Sequence, residues 1–508
     1  MSKLAIISVS DKTGIVSFAQ QLVNEFDFQI ISSGGTAKAL QDAGIPVTKV
    51  SDYTQSPEIL AGRVKTLHPR IHGGILARPD VPEDMQELSD NDIQKVDLVV
   101  VNLYPFEQTI AKRDVTVAEA IENIDIGGPT LLRAAAKNHA HLTVLCNPLR
   151  YEDYLTELRN NKGGTSLEFR QARAYEGFSM TAAYDSAISA YFAELTDNAS
   201  NLNIAGSPMQ KLRYGENPHQ EATWYKTGDE GWTTAEKLQG KELSYNNLVD
   251  LEAARRVIKE FTDEPAAAVL KHTNPCGVSV ASTLSAAYQQ AFNGDSVSAF
   301  GGIVALNRPI DAPTAEAMTK TFLECVVAPG CEEAAKAILA KKSKLRVLIL
   351  PNFNEGALTS VKAIAGGMLV QAADDYMDDP KEWQVATETK PTDEELGEMI
   401  FAWKVAKHVK SNAIVITRDR ATLGIGAGQM NRVGAAKIAL EAAGEATQGA
   451  CLASDGFFPF DDTVRAAADA GIKMIVQPGG SIRDKDSIAA ANELGIIMVL
   501  TGTRHFLH

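Results

Sequence analysis

Cysteine is scarce in this chain, with five in 508 residues, at positions 146, 276, 325, 331 and 451. The set is odd in number and scattered, which argues against a disulfide framework. No C-x-x-C occurs, and Cys325 and Cys331 have no neighbouring histidine at ligand spacing, so a structural zinc site is not expected. Basic residues are also in deficit: 49 Lys and Arg face 64 Asp and Glu, a formal charge of −15. That balance speaks against a general nucleic-acid binder, which needs a basic excess to neutralise a phosphate backbone. It permits small anionic ligands, because clusters such as Arg63-Val64-Lys65 can overcome a distant acidic surface. No uninterrupted apolar stretch is long enough to span a bilayer. Internal repeats and low-complexity tracts are absent. Met1 to Ile7 runs straight into a strand-like segment without signal-peptide architecture. The expectation is a reduced, cytoplasmic, multidomain enzyme or ligand-binding protein, free of nucleic acid and membrane.

What is present is an α/β pattern. The chain is 45% hydrophobic and 22% charged, a profile that supports a sizeable core, and its length predicts two or three domains. Leu4–Val9, Phe28–Ser32, Val96–Leu103 and Leu142–Cys146 read as strands. Ile15–Phe26, Thr36–Asp42, Tyr151–Asn160 and Leu167–Leu195 read as helices. This alternation predicts a parallel sheet covered on both faces, with ligands at the carboxyl ends of its strands. The small polar segment 196–203 marks a boundary, dividing the chain into domains 1–198 and 199–508. Beyond it, apolar runs at 266–270, 303–306, 347–350, 413–416, 474–476 and 496–500 predict a second α/β region with alanine-rich helices. The acidic stretch 374–391 reads as a solvated surface excursion.

The richest motif is Lys271-His272-Thr273-Asn274-Pro275-Cys276-Gly277, which follows the apolar run Ala266–Leu270. Adjacent strand side chains point to opposite faces, so Lys271 and His272 share a pocket only if the backbone turns. Asn274-Pro275 and Gly277 are the expected turn residues. A histidine there can accept a proton near neutral pH, and a neighbouring lysine can stabilise developing negative charge. Elsewhere Ser10-Asp11-Lys12-Thr13, Ser33-Gly34-Gly35-Thr36 and Arg63-Val64-Lys65-Thr66 gather hydroxyls, glycines and cations at strand ends or in loops, the makings of a phosphate-ester site. Asp125 and Lys137 flank a helical segment and can form a buried ion pair if the chain folds back. Gly424 to Gly428 resembles a dinucleotide fingerprint with the wrong spacing. Phe457, Phe458 and Phe460 beside a turn suit either stacking on a heteroaromatic ligand or core packing.

Taken in order, 8–14 (SVSDKTG), 33–36 (SGGT), 62–69 (GRVKTLHP), 102–106 (NLYPF), 124–128 (IDIGG), 133–139 (RAAAKNH), 213–220 (RYGENPHQ) and 271–277 resemble the bifunctional purine-biosynthesis family that joins AICAR transformylase to IMP cyclohydrolase. The resemblance covers nearly the whole chain. It implies a methylglyoxal-synthase-like first domain and a cytidine-deaminase-like second domain without zinc. It also implies a homodimer with transformylase sites at the subunit interface. The substrates would be AICAR, formyl-AICAR and 10-formyltetrahydrofolate, the last a co-substrate, with no tightly bound cofactor.

By the same resemblance, His272 is the base and Lys271 the oxyanion or leaving-group stabiliser of formyl transfer. Arg213, Tyr214, Gly301, Glu324, Asn412, Arg432 and Arg504 map to AICAR contacts. Val433, Phe457, Gly479 and Gly480 map to the folate side. Glu324 stands where family members can have aspartate. For ring closure, Lys137 and Asp125 match the proton-transfer pair, with Tyr104 beside them. Ser10, Lys12, Ser33, Gly34, Gly35, Thr36, Arg63, Lys65, Thr66, Asn102 and Ile126 match the nucleotide cradle. Other readings are a non-catalytic nucleotide sensor, a deaminase-like hydrolase, and a cyclohydrolase whose second half is structural.

Overall fold

The computed structural model describes residues 2–196, 202 and 204–508. It forms two compact units, Met1–Ala205 and Gly206–His508. Apart from Thr196 and Leu202, the segment 196–203, where the sequence places the domain boundary, lies outside the described residues.

In the first unit, β1 (Lys3–Val9), β2 (Phe28–Ser32), β3 (Thr48–Lys49), β4 (Leu98–Asn102) and β5 (Thr143–Leu145) form one sheet in the order β3-β2-β1-β4-β5. Every pairing is parallel. The continuous apolar runs have a simple cause. Ala5, Ile7 and Val9 pack with Leu98 and Val100 on one face, against the helices Ile15–Phe26 and Tyr151–Asn160. Leu4 and Ile6 pack with Val99 and Val101 on the other, against Pro69–Leu76 and Gly127–Lys137. Period-two alternation therefore buries both faces and leaves only strand ends for polar chemistry.

The second unit is built on a 12-stranded mixed sheet. Its strands, with those of two small hairpins, are β6 (Ser207–Lys211), β7 (Thr223–Lys226), β8 (Glu236–Gln239), β9 (Ala266–Lys271), β10 (Asn274–Val280), β11 (Ile303–Leu306), β12 (Cys325–Ala328), β13 (Arg346–Ile349), β14 (Thr359–Ile364), β15 (Gly367–Ala372), β16 (Gln384–Val385), β17 (Ile414–Arg418), β18 (Ala421–Gly426), β19 (Cys451–Ser454), β20 (Met474–Gln477) and β21 (Ile497–Leu500). The main order is β16-β21-β20-β19-β17-β18-β10-β9-β11-β12-β13-β8, while β6-β7 and β14-β15 pair separately. Ala266, Ala268 and Leu270 join Val415 in a core covered by the helices Tyr245–Ile258 and Asp393–Ala406. Ala267 and Val269 face a second cluster, and Ile414 and Ile416 a third.

Several expectations change here. The turn after Lys271 is not made by Asn274-Pro275 and Gly277. Those residues lie in β10, which pairs back on β9 with Asn274 opposite Lys271. The loop is His272-Thr273, both with positive φ (53° and 63°). Gly424 and Gly426 are packing residues: a Cβ on either would overlap the carbonyl oxygens of Ala439 or Ala435 in the helix Arg432–Ala443. They allow a helix to lie directly on β18, with no phosphate involved.

The acidic stretch is also not simply solvated. His505, nearly inaccessible, places Nδ1 2.7 Å from Asp374 and Nε2 2.9 Å from Asp378. Trp403 donates to the same Asp378 oxygen at 2.8 Å and lies 5.5 Å, ring to ring, from His505. Both ring nitrogens face carboxylates, so the geometry fits a doubly protonated imidazolium. Burial works against the charged ring, but the bonds to Asp374 and Asp378 prevail and raise its pKa above the ordinary value. This stabilisation is complete below the unfolded pKa of about 6.5 and fades as pH rises through the folded one. Alkaline titration should therefore loosen the C-terminal segment, seen as a change in Trp403 fluorescence at a pH above the usual histidine range. His505→Gln should abolish that transition, and an identical transition in the variant would refute the assignment.

Candidate active sites

The first site is a cleft of about 530 Å³ at the carboxyl ends of β1, β2 and β4. The strand order reverses between β1 and β4, the topological switch point at which open α/β sheets bind ligands. Its lining includes Ser10, Lys12, Ser33, Gly34, Gly35, Thr36, Arg63, Lys65, Thr66, Asn102, Tyr104, Asp125 and Ile126. The two glycines do not precede the helix but open it, over Gly34–Asp42, with Ser33 as the N-cap residue. A Cβ on Gly34 would approach Lys65 Nζ to 3.2 Å, and one on Gly35 would meet Lys12 Cε at 3.6 Å. Two ammonium groups thus lie over a helix N-terminus that lacks side chains of its own, an arrangement suited to a phosphate.

Not all of these residues are free to bind. Thr36 Oγ1 donates to the Val9 carbonyl at 2.9 Å and accepts from the Val9 N–H at 3.1 Å, locking the helix to β1. Asn102 Oδ1 accepts from the N–H groups of Ser10 (2.6 Å) and Asp11 (2.9 Å), while its Nδ2 donates to the Asp11 carbonyl. Its amide braces the Ser10 loop. Arg63 pairs with Glu122, and Lys65 lies 3.5 Å from Glu58. These ion pairs are partly exposed and therefore weak, so an incoming anion can replace the carboxylates.

Asp125 stands where the helix Gly127–Lys137 begins and accepts from the Gly128 N–H at 2.8 Å. Burial raises its pKa, against the opposing pull of N–H groups from Gly128, Tyr104 and Gly127. The Tyr104 phenol is raised as well, by burial and then by Asp125. Lys137 is not brought to this cleft. The helix runs unbroken past Pro129, whose missing N–H is of no consequence in a first turn. Lys137 consequently lies ~15 Å along the axis from the helix start. It is exposed, and among the described residues no ion pair joins it to Asp125.

The second site is an edge rather than a hollow. Strand directions place the end of β9, the starts of β10, β11, β12 and β17, and the ends of β18 to β21 along one margin of the large sheet. That margin carries Lys271, His272, Gly301, Glu324, Asn412, Arg432, Val433, Phe457, Gly479, Gly480 and Arg504, each at or just beyond a strand end. Lys271 Nζ donates to the Phe300 carbonyl at 3.0 Å. Glu324 accepts from Arg346 Nη1 at 2.6 Å. The Arg432 guanidinium is buried, bonded to Asn412 Oδ1 (2.8 Å), Ser454 Oγ (2.9 Å) and the fully buried Asp455. Gly480 donates to Asp484 at 2.7 Å, so the first residue of the helix Asp484–Glu493 holds that turn. Arg504 stacks on Phe506, with its guanidinium carbon 4.6 Å from the ring centre.

Arg213 and Tyr214 follow β6, with the guanidinium over the Tyr214 ring. Their loop is tied to the helix Tyr245–Ile258 by a bond from Asn246 to the Glu216 carbonyl. Cys276 is buried and its thiol is pushed up to about 12, so it packs and is no nucleophile.

Two residues escaped the sequence reading. Asp250 accepts from the Thr273 N–H at 2.7 Å, and Asp455 holds Arg432. Asp250 sits mid-helix without any local signal. Asp455 lies in the noted Ser454–Phe460 loop, but only the fold reveals its partner.

Fold and sites together define a two-unit α/β protein with an anion-cradling cleft and a second, lysine- and histidine-bearing sheet margin. An MGS-like domain model matches residues 14–130, and a model described as AICARFT/IMPCHase bienzyme matches residues 135–442. Proteins named bifunctional purine biosynthesis protein PurH, from Rippkaea orientalis (strain PCC 8801 / RF-1) and Gloeothece citriformis (strain PCC 7424), are each 68% identical to this chain, which matches them end to end (100% of both chains). The counterpart from Synechocystis sp. (strain ATCC 27184 / PCC 6803 / Kazusa) is 67% identical over the same full extent. The chain belongs to the AICARFT/IMPCHase bienzyme family.

The cleft geometry makes Lys65→Ala a direct test of the cradle. Loss of one ammonium should weaken a purine 5′-monophosphate about tenfold, ~1.4 kcal/mol, in calorimetric titration. The loss should shrink as salt rises. Unchanged affinity would place the phosphate elsewhere.

Proposed function

We propose that this chain catalyses both late steps of IMP formation, with formyl transfer in the second unit and ring closure in the first. The observation that carries this reading is end-to-end identity of 67–68% to bifunctional PurH proteins, in a chain holding both residue sets at strand ends. Formyl transfer takes the formyl group from N10 of 10-formyltetrahydrofolate to the exocyclic amine of AICAR. That amine is a weak nucleophile, because its lone pair is delocalised into the ring and carboxamide. His272 removes its proton as nitrogen attacks the formyl carbon. Lys271 steadies the tetrahedral oxyanion, worth about 3 kcal/mol for a well-placed group. Collapse expels protonated N10 and releases tetrahydrofolate, so the folate is a co-substrate and no bound cofactor is needed.

Ring closure follows when the carboxamide nitrogen attacks the formyl carbon of the product and water leaves. The reaction is intramolecular, so the cleft mainly holds a reactive rotamer. Lys12, Lys65 and the first turn of Gly34–Asp42 take the phosphate. Asp125, with its raised pKa, and Tyr104 exchange the protons.

A homodimer completes this reading, and two observations support it. Strand by strand, the margin from β21 to β12 spans eight steps of ~4.8 Å, about 38 Å, too far for one small ligand to touch both ends. A site that uses Arg504 and Glu324 together therefore needs residues from two copies. The hairpin β14-β15 is exposed at every residue, although it carries Val361, Ile364, Met368, Leu369 and Val370. An isolated hairpin is marginal in water, and this apolar ribbon is the natural contact for a second copy. We further read the second unit as cytidine-deaminase-like without zinc and the protein as cytoplasmic. No C-x-x-C is present, and among the described residues no helix is long and apolar enough to cross a membrane.

Turnover of AICAR with 10-formyltetrahydrofolate, with the purine identified by chromatography, tests the whole reading: IMP and tetrahydrofolate should appear together. His272→Ala should lower formyl transfer about 10²–10⁴-fold and leave closure of supplied formyl-AICAR intact, while Asp125→Asn should do the reverse. Equal loss of both steps in either variant would refute the division of labour. Replacing 359–372 with a short Gly-Ser turn should give a monomer by light scattering that closes the ring but does not transfer formyl. A dimer that still transfers formyl would remove the hairpin from the interface.

A further inference from the structure

The loop that carries His272 is conformationally expensive. A two-residue connection with positive φ at both positions is the type I′ hairpin turn, ordinarily built from Asn-Gly or Gly-Gly. Here the residues are His272 and Thr273, with φ of 53° and 63°. Threonine is β-branched and poorly suited to the left-handed region. Such a conformation persists only where its surroundings over-determine it.

Those surroundings are identifiable. On one side, Asp250 of the helix Tyr245–Ile258 accepts from the Thr273 N–H at 2.7 Å, and the His272 N–H also draws on this carboxylate. On the other, Asn274 Nδ2 donates to the His272 carbonyl at 3.3 Å while its Oδ1 accepts from the Lys410 N–H at 3.1 Å. Thr273 Oγ1 closes the loop with a 2.7 Å bond to the same His272 carbonyl. Among the described residues Asp250 is the only charged group bonded to the turn's N–H groups, and it is half-buried. Burial raises its pKa, while the turn's N–H groups and the neighbouring His272 ring lower it, so a desolvated carboxylate is held beside the turn.

We infer that Asp250 is a positioning residue for formyl transfer, holding the His272-Thr273 turn in the left-handed conformation that presents the His272 imidazole. The inference rests on the proposed role of His272 and adds to it a residue that need not touch substrate. A mere staple between helix and hairpin would affect stability. A positioning group would affect kcat, and its loss should be repaired by anything that makes the turn comfortable again.

The test uses the full-length protein, with formyl transfer as the readout and closure of supplied formyl-AICAR as the control for folding. Asp250→Ala should lower the formyl-transfer kcat about 100-fold, the usual cost of misplacing a reacting group by an ångström. The KM for AICAR should change by less than about threefold if only the turnover step is affected. Adding Thr273→Gly should recover at least about tenfold, because glycine adopts positive φ freely. Asp250→Asn, whose amide oxygen can still accept the N–H, should stay within about tenfold of the parent. The inference is overturned if Asp250→Ala transfers formyl normally, or if Thr273→Gly fails to rescue it while Asp250→Asn is equally inactive. His272→Ala, assayed in parallel, separates the two levels. Normal formyl transfer in that variant would remove the reading on which the inference stands, whereas an inactive His272→Ala beside a normal Asp250→Ala would remove the inference alone.

Discussion

Burial of both faces of each central sheet is the constraint on which the rest depends. Alternating residues of β1 and β4 feed two separate cores, and β9 does the same in the second unit. A strand buried on both sides has no lateral surface for polar groups, so chemistry is confined to its ends. In the first unit the strands run parallel, and one edge gathers the Ser10 loop, the Ser33–Thr36 turn and Asn102 around a cleft. In the second the strands run in both directions, yet starts and ends meet so that the polar residues still fall along one margin. The two sites thus differ in shape for a topological reason. A switch point in a parallel sheet makes a hollow, whereas a long mixed sheet makes a ledge.

Charge is handled locally. A chain of net charge −15 binds anions through groups whose partners can be exchanged or are fixed by design. Arg63 and Lys65 face the exposed or half-exposed Glu122 and Glu58, pairs weak enough to open for a phosphate. Arg432 is the opposite case: it is buried against Asp455, with its remaining donors on Asn412 and Ser454. Breaking a buried pair leaves an uncompensated charge, so this guanidinium is immobile in a way the surface cations are not. The cleft can adapt to its ligand, while the sheet margin offers a prearranged donor.

Much of this was legible in the sequence. The helices Ile15–Phe26, Tyr151–Asn160 and Leu167–Leu195 have the expected bounds, as do the strands Phe28–Ser32 and Ile303–Leu306, because long periodic patterns report burial directly. The cleft residues were legible too, since glycines and cations at strand ends are local signals. What escaped depends on partners distant in sequence or on turn chemistry that breaks its own rule. A hairpin made by His272-Thr273 carries none of the glycine that marks such loops, so the bend was placed on Pro275 and Gly277. Strands β12, β18 and β19 are short, four to six residues, and are not among the apolar runs read as strands. The acidic stretch at 374–391 looked solvated because its cation, His505, lies more than a hundred residues away. The pairing of Lys137 with Asp125, suggested by a fold-back and by the family resemblance, is not made within this chain, because an uninterrupted helix holds its two ends apart.

The pairing of the two activities has a chemical logic that needs no passage between sites. Formyl transfer to a delocalised amine is close to balanced, because one nitrogen formamide is exchanged for another. Ring closure forms an aromatic product and expels water, so it draws the preceding equilibrium forward wherever the two catalysts share a solution. What fusion into one chain secures is stoichiometry, since each copy that produces formyl-AICAR brings with it a cleft that consumes it. The transfer step then needs geometric accuracy at a weak nucleophile, whereas the closure step needs chiefly a held rotamer and a proton relay. The structure follows that division. The strained, externally braced turn is at the residues proposed for transfer, and the cleft proposed for closure is built from an ordinary helix start, two lysines and a half-buried carboxyl.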